Sequence, residues 1–450
     1  MDKTRALAVR LLMRCEDAGY SNLVLKSALE QQPLEPWEKA FVSALVYGTV
    51  ERQRLLDALL DSCLKKPCAR LDAPVRAILR SGLYQCRWMD GVPTYAAVNA
   101  AVELTRHFGK TSAAGMVNAV LRKAAQTPVK ALSFPDEIAR LGTLYSVSDS
   151  IAAMLLRVYG PQQAETVLQA FAEPAVTFLR ANLLRTTPAE LCERLRQEGI
   201  AAVPAAPEGA VRLTDGGDIA HTRAFAQGLF HVQGLSSQLT ALAVQAVPGE
   251  TVLDVCAAPG GKSLTLAQQM KDSGMLLCGE LQPSRVRLIQ QQLQRCGVHC
   301  ARALCADAAE YQPDFPAADA VLCDVPCSGT GILAHKPDIR YKDVDEGRDA
   351  LQRLHSRILQ TAARYVKAGG RLVYSTCSLD PAENEAVVEA FLHTHPDFSL
   401  QPWPLPTNAA LMQVPGQRPG MVTLLPTAGG CDGFFIAKLK KVCYNGQNCF

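Results

Sequence analysis

The sequence predicts a multidomain chain: an all-α domain, then a small α+β domain, then an α/β domain built on a doubly wound sheet. Three observations predict it. At 450 residues the chain exceeds what one hydrophobic core usually supports. Its first 127 residues carry apolar side chains at three- and four-residue spacing, with no strand-like alternation. From Ser237 nearly to the end, short β-prone runs alternate with helical stretches, the pattern of parallel strands joined by crossover helices.

In the first domain, residues 1–128, the helical spacing is carried by Ala6, Val9, Leu11 and Leu12, by Phe41, Ala44 and Leu45, and by Leu55, Leu59 and Leu60. Pro33 and Pro36, Pro67 and Pro74, and Asp90-Gly91-Val92-Pro93 separate the helices. Pro128 and Pro135 mark a linker. Residues 136–236 read as helices over Ile151–Tyr159 and Gln162–Phe171, a strand over Val176–Asn182, a helix over Pro188–Glu198, and β segments around Val211 and Leu229–Val232. Residues 237–441 give strand Thr251–Val255 and a helix from Ser263, then strand Leu276–Glu280 and a helix from Pro283. Strand Ala320–Asp324, helix Gly347–Val366, strand Gly370–Ser375 and helix Glu383–Thr394 follow, and Gly429–Lys441 supplies a last strand after a turn. In such a sheet, ligands lie at the carboxyl ends of the strands.

Composition narrows the function classes. No apolar run reaches the eighteen or so residues of a membrane span, and the N-terminal segment lacks the features of a secretory signal, so a cytoplasmic protein is expected. The 16 cysteines contain no C-x-x-C and no pairs at metal-ligand spacing. They read as reduced, mostly buried small side chains, with no metal expected. Net charge is +3, but residues 1–128 hold 18 Lys+Arg against 12 Asp+Glu, whereas residues 237–450 hold 19 against 20. A basic first domain suits docking on RNA phosphates, and suits a mildly basic helical bundle equally.

Chemistry concentrates in three strand-end segments. In LDVCAAPGGKS (Leu253–Ser263) a strand runs into a turn of small residues before a helix, so backbone can approach a ligand closely. Gly261-Lys262-Ser263 matches the end of a phosphate-binding loop, but Cys256 stands at the first glycine position and Pro259 constrains the turn. Glu280, ending the next strand, can hold ribose hydroxyls of either a dinucleotide or S-adenosylmethionine, and no G-x-G-x-x-G is present. The turn alone therefore points to an adenosine-type cofactor. DVPCSGTG (Asp324–Gly331) and LVYSTCSLDPAENE (Leu372–Glu385) each place a cysteine, Cys327 and Cys377, where a strand ends. Methylating carbon 5 of cytosine needs a thiolate to add at carbon 6, making an enamine whose carbon 5 attacks an electrophilic methyl group. Asp324 is the candidate to hold ring nitrogen 3 and the exocyclic amine. Two thiols allow one to add and the other to help the adduct break.

LDVCAAPGGKS, DVPCSGTG, YSTCS…ENE and GCDGFF together resemble the Nop2/Sun family of RNA cytosine-5 methyltransferases over about residues 230–440. ALVYGTVERQRLLD, ILRSGLYQ, VPTYAAVNAAVEL and VNAVLRK resemble the NusB-like RNA-binding domain, a pairing similar to bacterial 16S ribosomal RNA methyltransferases. The resemblance implies a Rossmann-like class I methyltransferase fold with S-adenosyl-L-methionine as cofactor. It implies Cys377 as the attacking thiolate and Cys327 as the group assisting release. Cofactor contacts would come from Cys256, Ala257, Ala258, Pro259, Gly260, Gly261 and Lys262, with Glu280 on the ribose, Asp307 beside the adenine, and Asp324 where methyl donor meets base. The target would be an unpaired or flipped cytosine of 16S ribosomal RNA, free or in a partly assembled small subunit. A monomer with neither DNA nor membrane as partner is expected. LRANLL (Leu179–Leu184) resembles the family's RNA-contacting strand, and His335, Lys336, Arg340 and Lys342 are candidate phosphate contacts. Three positions depart from the family pattern: Glu280 where Asp is commoner, Gly234 where Asp is common, and His355 where Gln is common. The competing reading is a non-catalytic RNA-binding protein, a ribosome-assembly or antitermination factor.

Overall fold

A computed structural model describes residues 2–18, 25, 28–29, 32–215, 217–406 and 411–442. The tail from residue 443 onward, to which the sequence assigns no role, lies outside them. The chain forms two compact units, one of residues 1–168 and 333–343, the other of residues 169–332 and 344–450.

Among the described residues the first unit holds helices and no strand: α1 (Lys3–Ala18), α2 (Pro36–Glu51), α3 (Gln53–Asp61), α4 (Ala73–Trp88), α5 (Thr94–His107), α6 (Ala114–Gln126), α7 (Glu137–Leu144) and the start of α8 (Asp149–Ala172). Pro36 and Pro74 sit in first turns, where a missing N–H costs nothing. The apolar stripes meet in one core that includes Leu11, Leu45, Leu56, Ile78, Leu83 and Leu121. Arg80, buried among them, is neutralised by Asp57 and Glu16. Residues 333–343 belong to this unit. The Tyr341 hydroxyl donates to Val50 O (2.5 Å) and accepts from Gln53 N (3.2 Å), and the Arg340 guanidinium donates to Tyr145 O (3.1 Å). Arg340 is therefore buried instead of offered to a phosphate, while His335, Lys336 and Lys342 are exposed.

The second unit begins with a four-stranded antiparallel sheet in the order β2-β3-β1-β4. Its elements are β1 (Phe178–Ala181), α9 (Pro188–Gln197), β2 (Ala202–Pro204), β3 (Ala210–Leu213), the short α10 (Arg223–Ala226) and β4 (Phe230–Val232). Residues 179–182 of LRANLL are buried. Arg180 donates to Gln268 Oε1, Gln238 Oε1 and Glu208 O, and Asn182 Nδ2 to Gly228 O and Cys296 O. These polar groups tie the small sheet to the α/β part and present no surface to RNA, which corrects the expectation for that strand.

After α11 (Leu235–Val244) the large sheet follows: β5 (Thr251–Asp254), α12 (Gly261–Gln269), β6 (Met275–Glu280), α13 (Pro283–Cys296), β7 (Ala301–Cys305), β8 (Ala318–Asp324), α14 (Arg348–Tyr365), β9 (Val366–Thr376), α15 (Glu385–Thr394), β10 (Phe398–Leu400), β11 (Met412–Gln413), β12 (Met421–Leu425) and β13 (Phe434–Lys441). The order is β11-β12-β13-β9-β8-β5-β6-β7, with β10 also on β13. Strands β9, β8, β5, β6 and β7 are parallel, as expected, but β13 runs antiparallel to β9 and β12 antiparallel to β13. The sheet is thus mixed, Rossmann-like in its centre. One core on each face buries it, around Leu264, Ile289 and Ile436 and around Leu359, Tyr374 and Phe435. Strand order reverses between β5 and β8, which opens the crevice where ligands of such sheets bind.

Candidate active site

Every strand from β5 to β9 delivers a candidate residue to that crevice. After β5 the turn folds back, with Ala257 N–H on Gly279 O (2.9 Å) and Gly260 N–H on Ala257 O (2.7 Å). Gly260 caps α12 at φ 105°, a conformation that side-chain-bearing residues rarely adopt. Asp254, ending β5, is buried; Ser263 Oγ donates to its Oδ2 at 2.7 Å, and burial pushes its carboxyl up to about 7. Glu280 ends β6 opposite Cys305 of β7, and Asp307 lies two residues past that register point. Glu280 is buried, with Oε1 accepting from Gln282 N (3.0 Å) and Oε2 3.4 Å from Arg285. Asp307 Oδ1 accepts from Ala309 N (2.9 Å). A bare-backbone turn at a helix N-terminus beside two oriented carboxylates on neighbouring strand ends suits an adenosine cofactor: acceptors for the ribose diol, amide donors for a carboxylate.

Past β8, Asp324 accepts from Lys262 Nζ on Oδ2 and from Ser375 Oγ on Oδ1, each at 2.7 Å. Burial would lower Lys262, but Asp324 beside it, with Cys377 and Asp254 further contributing, holds it above the usual lysine range. Lys262 also lies 5.3 Å above the Phe434 ring. The ammonium is therefore a permanent cation at the strand ends. Sequence reading placed Lys262 only as a cofactor contact and missed this pairing.

Cys327 and Cys377, fifty residues apart, bring their sulfurs to 3.0 Å. Their hydrogen bond and then burial push the Cys327 thiol well above its ordinary range, and either sulfur can serve as the donor of the pair. Two devices hold the loops together. Gly331 N–H donates to Cys377 O (2.9 Å) and Gly433 N–H to Gly331 O (2.7 Å), a contact so close that a Cβ on Gly331 would collide with the Gly433 carbonyl. Beneath it, the buried Glu383 accepts from Ser328 N (2.9 Å), Ser328 Oγ (2.5 Å) and Ser378 Oγ (2.7 Å), while Asn384 accepts from Thr376 Oγ1 (2.6 Å) and donates to Ser378 O (2.9 Å). The ENE segment supplies the clamp through Glu383 and Asn384, while Glu385 accepts from Gln417 and Thr423 instead. Of the departures from the family pattern, Gly234 is the N-cap of α11, and a Cβ there would meet Asp432 Oδ2 at 2.9 Å. An acid at 234 would face that carboxylate.

Comparison with known proteins identifies the family. The family described as 16S rRNA methyltransferase RsmB/F matches residues 241–440, the NusB family residues 2–126, and the ferredoxin-like domain of RsmF/B-like methyltransferases residues 151–220. A probable ribosomal RNA small subunit methyltransferase B of Synechocystis is 35% identical over 430 residues, 94% of this chain and 96% of that protein. The chain belongs to the RsmB/F methyltransferase family. It is an S-adenosylmethionine-dependent ribosomal RNA methyltransferase with a NusB domain, a ferredoxin-like middle domain and a Rossmann-like catalytic domain. The fold recurs in the crystal structure of PH0851, with a TM-score of 0.78 at 24% identity covering 98% of this chain and 99% of that one. It recurs also in NSun6 from Pyrococcus horikoshii with SFG, with a TM-score of 0.59 at 20% identity covering 65% and 97%. Among the described residues, no helix is long and apolar enough to cross a membrane.

Proposed function

We propose that this member of the RsmB/F family methylates carbon 5 of an unpaired cytosine in 16S ribosomal RNA through a covalent adduct on Cys377. The observation that carries the reading is the 3.0 Å approach of the two sulfurs beside the Lys262–Asp324 pair. Cys377 Sγ adds to carbon 6, and Asp324, bridged to Lys262, accepts from the exocyclic amine while the ammonium offsets charge gathering on the ring. Residues 256–262, Glu280 and Asp307 would hold S-adenosylmethionine, which when bound would supply the electrophilic methyl group for carbon 5. Cys327 then serves release: carbon 5 gives up its proton to solvent water, the electron pair re-forms the C5–C6 double bond, and sulfur leaves carbon 6 as thiolate, taking up the hydrogen bond from Cys327. Residues 1–128 and 136–236 choose the RNA site, and residues 237–441 do the chemistry.

Tritiated S-adenosylmethionine and 16S RNA test this directly. Wild type labels RNA, Cys377→Ala does not, and Cys327→Ala leaves RNA bound to protein through denaturing electrophoresis. Retained adduct with Cys377→Ala and none with Cys327→Ala reverses the two roles. RNA binding without label in wild type favours the assembly-factor reading.

A further inference from the structure

His355 is a wholly buried histidine on α14, outside the set of residues that the reaction uses. Its Nε2 lies 2.7 Å from the Pro326 carbonyl oxygen, and its Nδ1 3.1 Å from the Tyr374 hydroxyl, which in turn donates to Glu383 O at 2.5 Å. A carbonyl only accepts, so Nε2 carries the ring proton. Burial holds the imidazole neutral against the pull of Pro326 O and Glu383, so Nδ1 is an acceptor, and the Tyr374 O–H divides itself between Nδ1 and Glu383 O. Pro326 has no N–H, which makes its carbonyl the one backbone hydrogen-bonding group at that residue, immediately before Cys327. Immediately after Cys327, Ser328 is held by the Glu383 carboxylate. Cys327 is therefore gripped from both sides, and both grips end on β9 and the turn following it, the stretch that carries Cys377.

We propose that His355 is a positioning residue for Cys327: by holding Pro326 O, it fixes where the Cys327 thiol stands against Cys377. This rests on the reading in which Cys377 attacks and Cys327 assists release. A leucine at 355 takes the donor away from the carbonyl of Pro326, itself an exposed residue, and lets the loop shift. A glutamine places an amide nitrogen at nearly the same reach from Cβ and restores the donor. Release, rather than methyl transfer, is the step that suffers.

The test uses the full chain with 16S RNA and tritiated S-adenosylmethionine, comparing single-turnover labelling, multiple-turnover rate and the fraction of RNA retained on protein under denaturing conditions. His355→Leu is expected to slow multiple turnover and raise retained adduct by about tenfold, the equivalent of one lost hydrogen bond of about 1.4 kcal/mol, with single-turnover labelling reduced no more than about twofold. His355→Gln is expected to return adduct to within about threefold of wild type. Should His355→Leu fail to fold, Tyr374→Phe, which removes the donor to Nδ1 at nearly constant volume, is expected to raise adduct about threefold. No rise in adduct for these variants while Cys327→Ala traps RNA overturns the role of His355 alone. His355→Gln as defective as His355→Leu does the same. Failure of Cys327→Ala itself to trap RNA overturns the assignment of the cysteines, and the proposal with it.

Discussion

Replacing Glu383 by alanine should disable both cysteine loops at once, and the size of the effect follows from its partners. The side chain is buried and accepts three hydrogen bonds. On its loss the two serine hydroxyls can still turn to one another, being 3.1 Å apart, and Ser378 Oγ also has Thr330 Oγ1 at 3.2 Å. The N–H of the half-buried Ser328 has no such recourse and is left unpaired, at the lower end of about 1–3 kcal/mol. The vacated volume adds roughly 1–2 kcal/mol, while removal of a buried charge returns part of its desolvation. A net loss of at most about 3 kcal/mol, or no more than roughly 6–10 °C in the melting of the second unit, is expected. Glu383→Gln should cost less than half as much, because the amide oxygen can still receive Ser328 N–H while the hydroxyls rotate to accept from its nitrogen. Differential scanning calorimetry reads the stability, and denaturing electrophoresis with 16S RNA reads whether Cys377 still captures substrate. An alanine variant that melts with wild type and forms adduct at the same rate would refute the claim that this carboxylate unites the two loops.

Gly331→Ala forces a methyl group into the Gly433 carbonyl and should cost about 1–3 kcal/mol, with loss of RNA labelling because the same residue bonds Cys377 O; thermal melts and tritium transfer read the two effects. Asp254 is pushed up to about 7 from the model-compound 3.8. Unfolding at pH between these values therefore releases a proton, so stability falls as pH rises from about 4 to 7 and the fall is complete above that. Asp254→Asn should remove this slope, worth on the order of 4 kcal/mol at most, from a plot of melting temperature against pH. Tyr341→Phe strands the Gln53 N–H and loosens Val50 O, so the helical unit should lose about 1–3 kcal/mol in denaturant titration.

The central parallel strands and their helices were legible because each is a local pattern: an apolar run, a turn of small residues, then a 3.6-residue repeat. Direction was not. Phe434–Lys441 reads as a strand in any orientation, and its antiparallel place beside β9 is set by pairing with residues some sixty positions earlier. β2, three residues ending in Pro204 at a sheet edge, is too short to stand out, and proline there argues against a strand unless the edge is known. The cysteines could be singled out from strand-end position alone, but their mutual approach could not. The reading of LRANLL as an RNA-contacting strand rested on resemblance alone, whereas the partners that bury Arg180, Gln238 and Gln268, come from α11 and α12, far along the chain. His355 was visible only as an unusual residue; Pro326 and Tyr374, which give it meaning, are 29 and 19 residues distant.

Residues 333–343 are counted with the helices although they are encoded between two halves of the catalytic sheet. No single cut can then yield two closed modules. A fragment ending at residue 168 would lack Tyr341 and leave Val50 O and Gln53 N without their hydroxyl, and a fragment starting at 169 would carry an eleven-residue excursion stripped of its seat, one residue after the Gly331–Ile332 peptide.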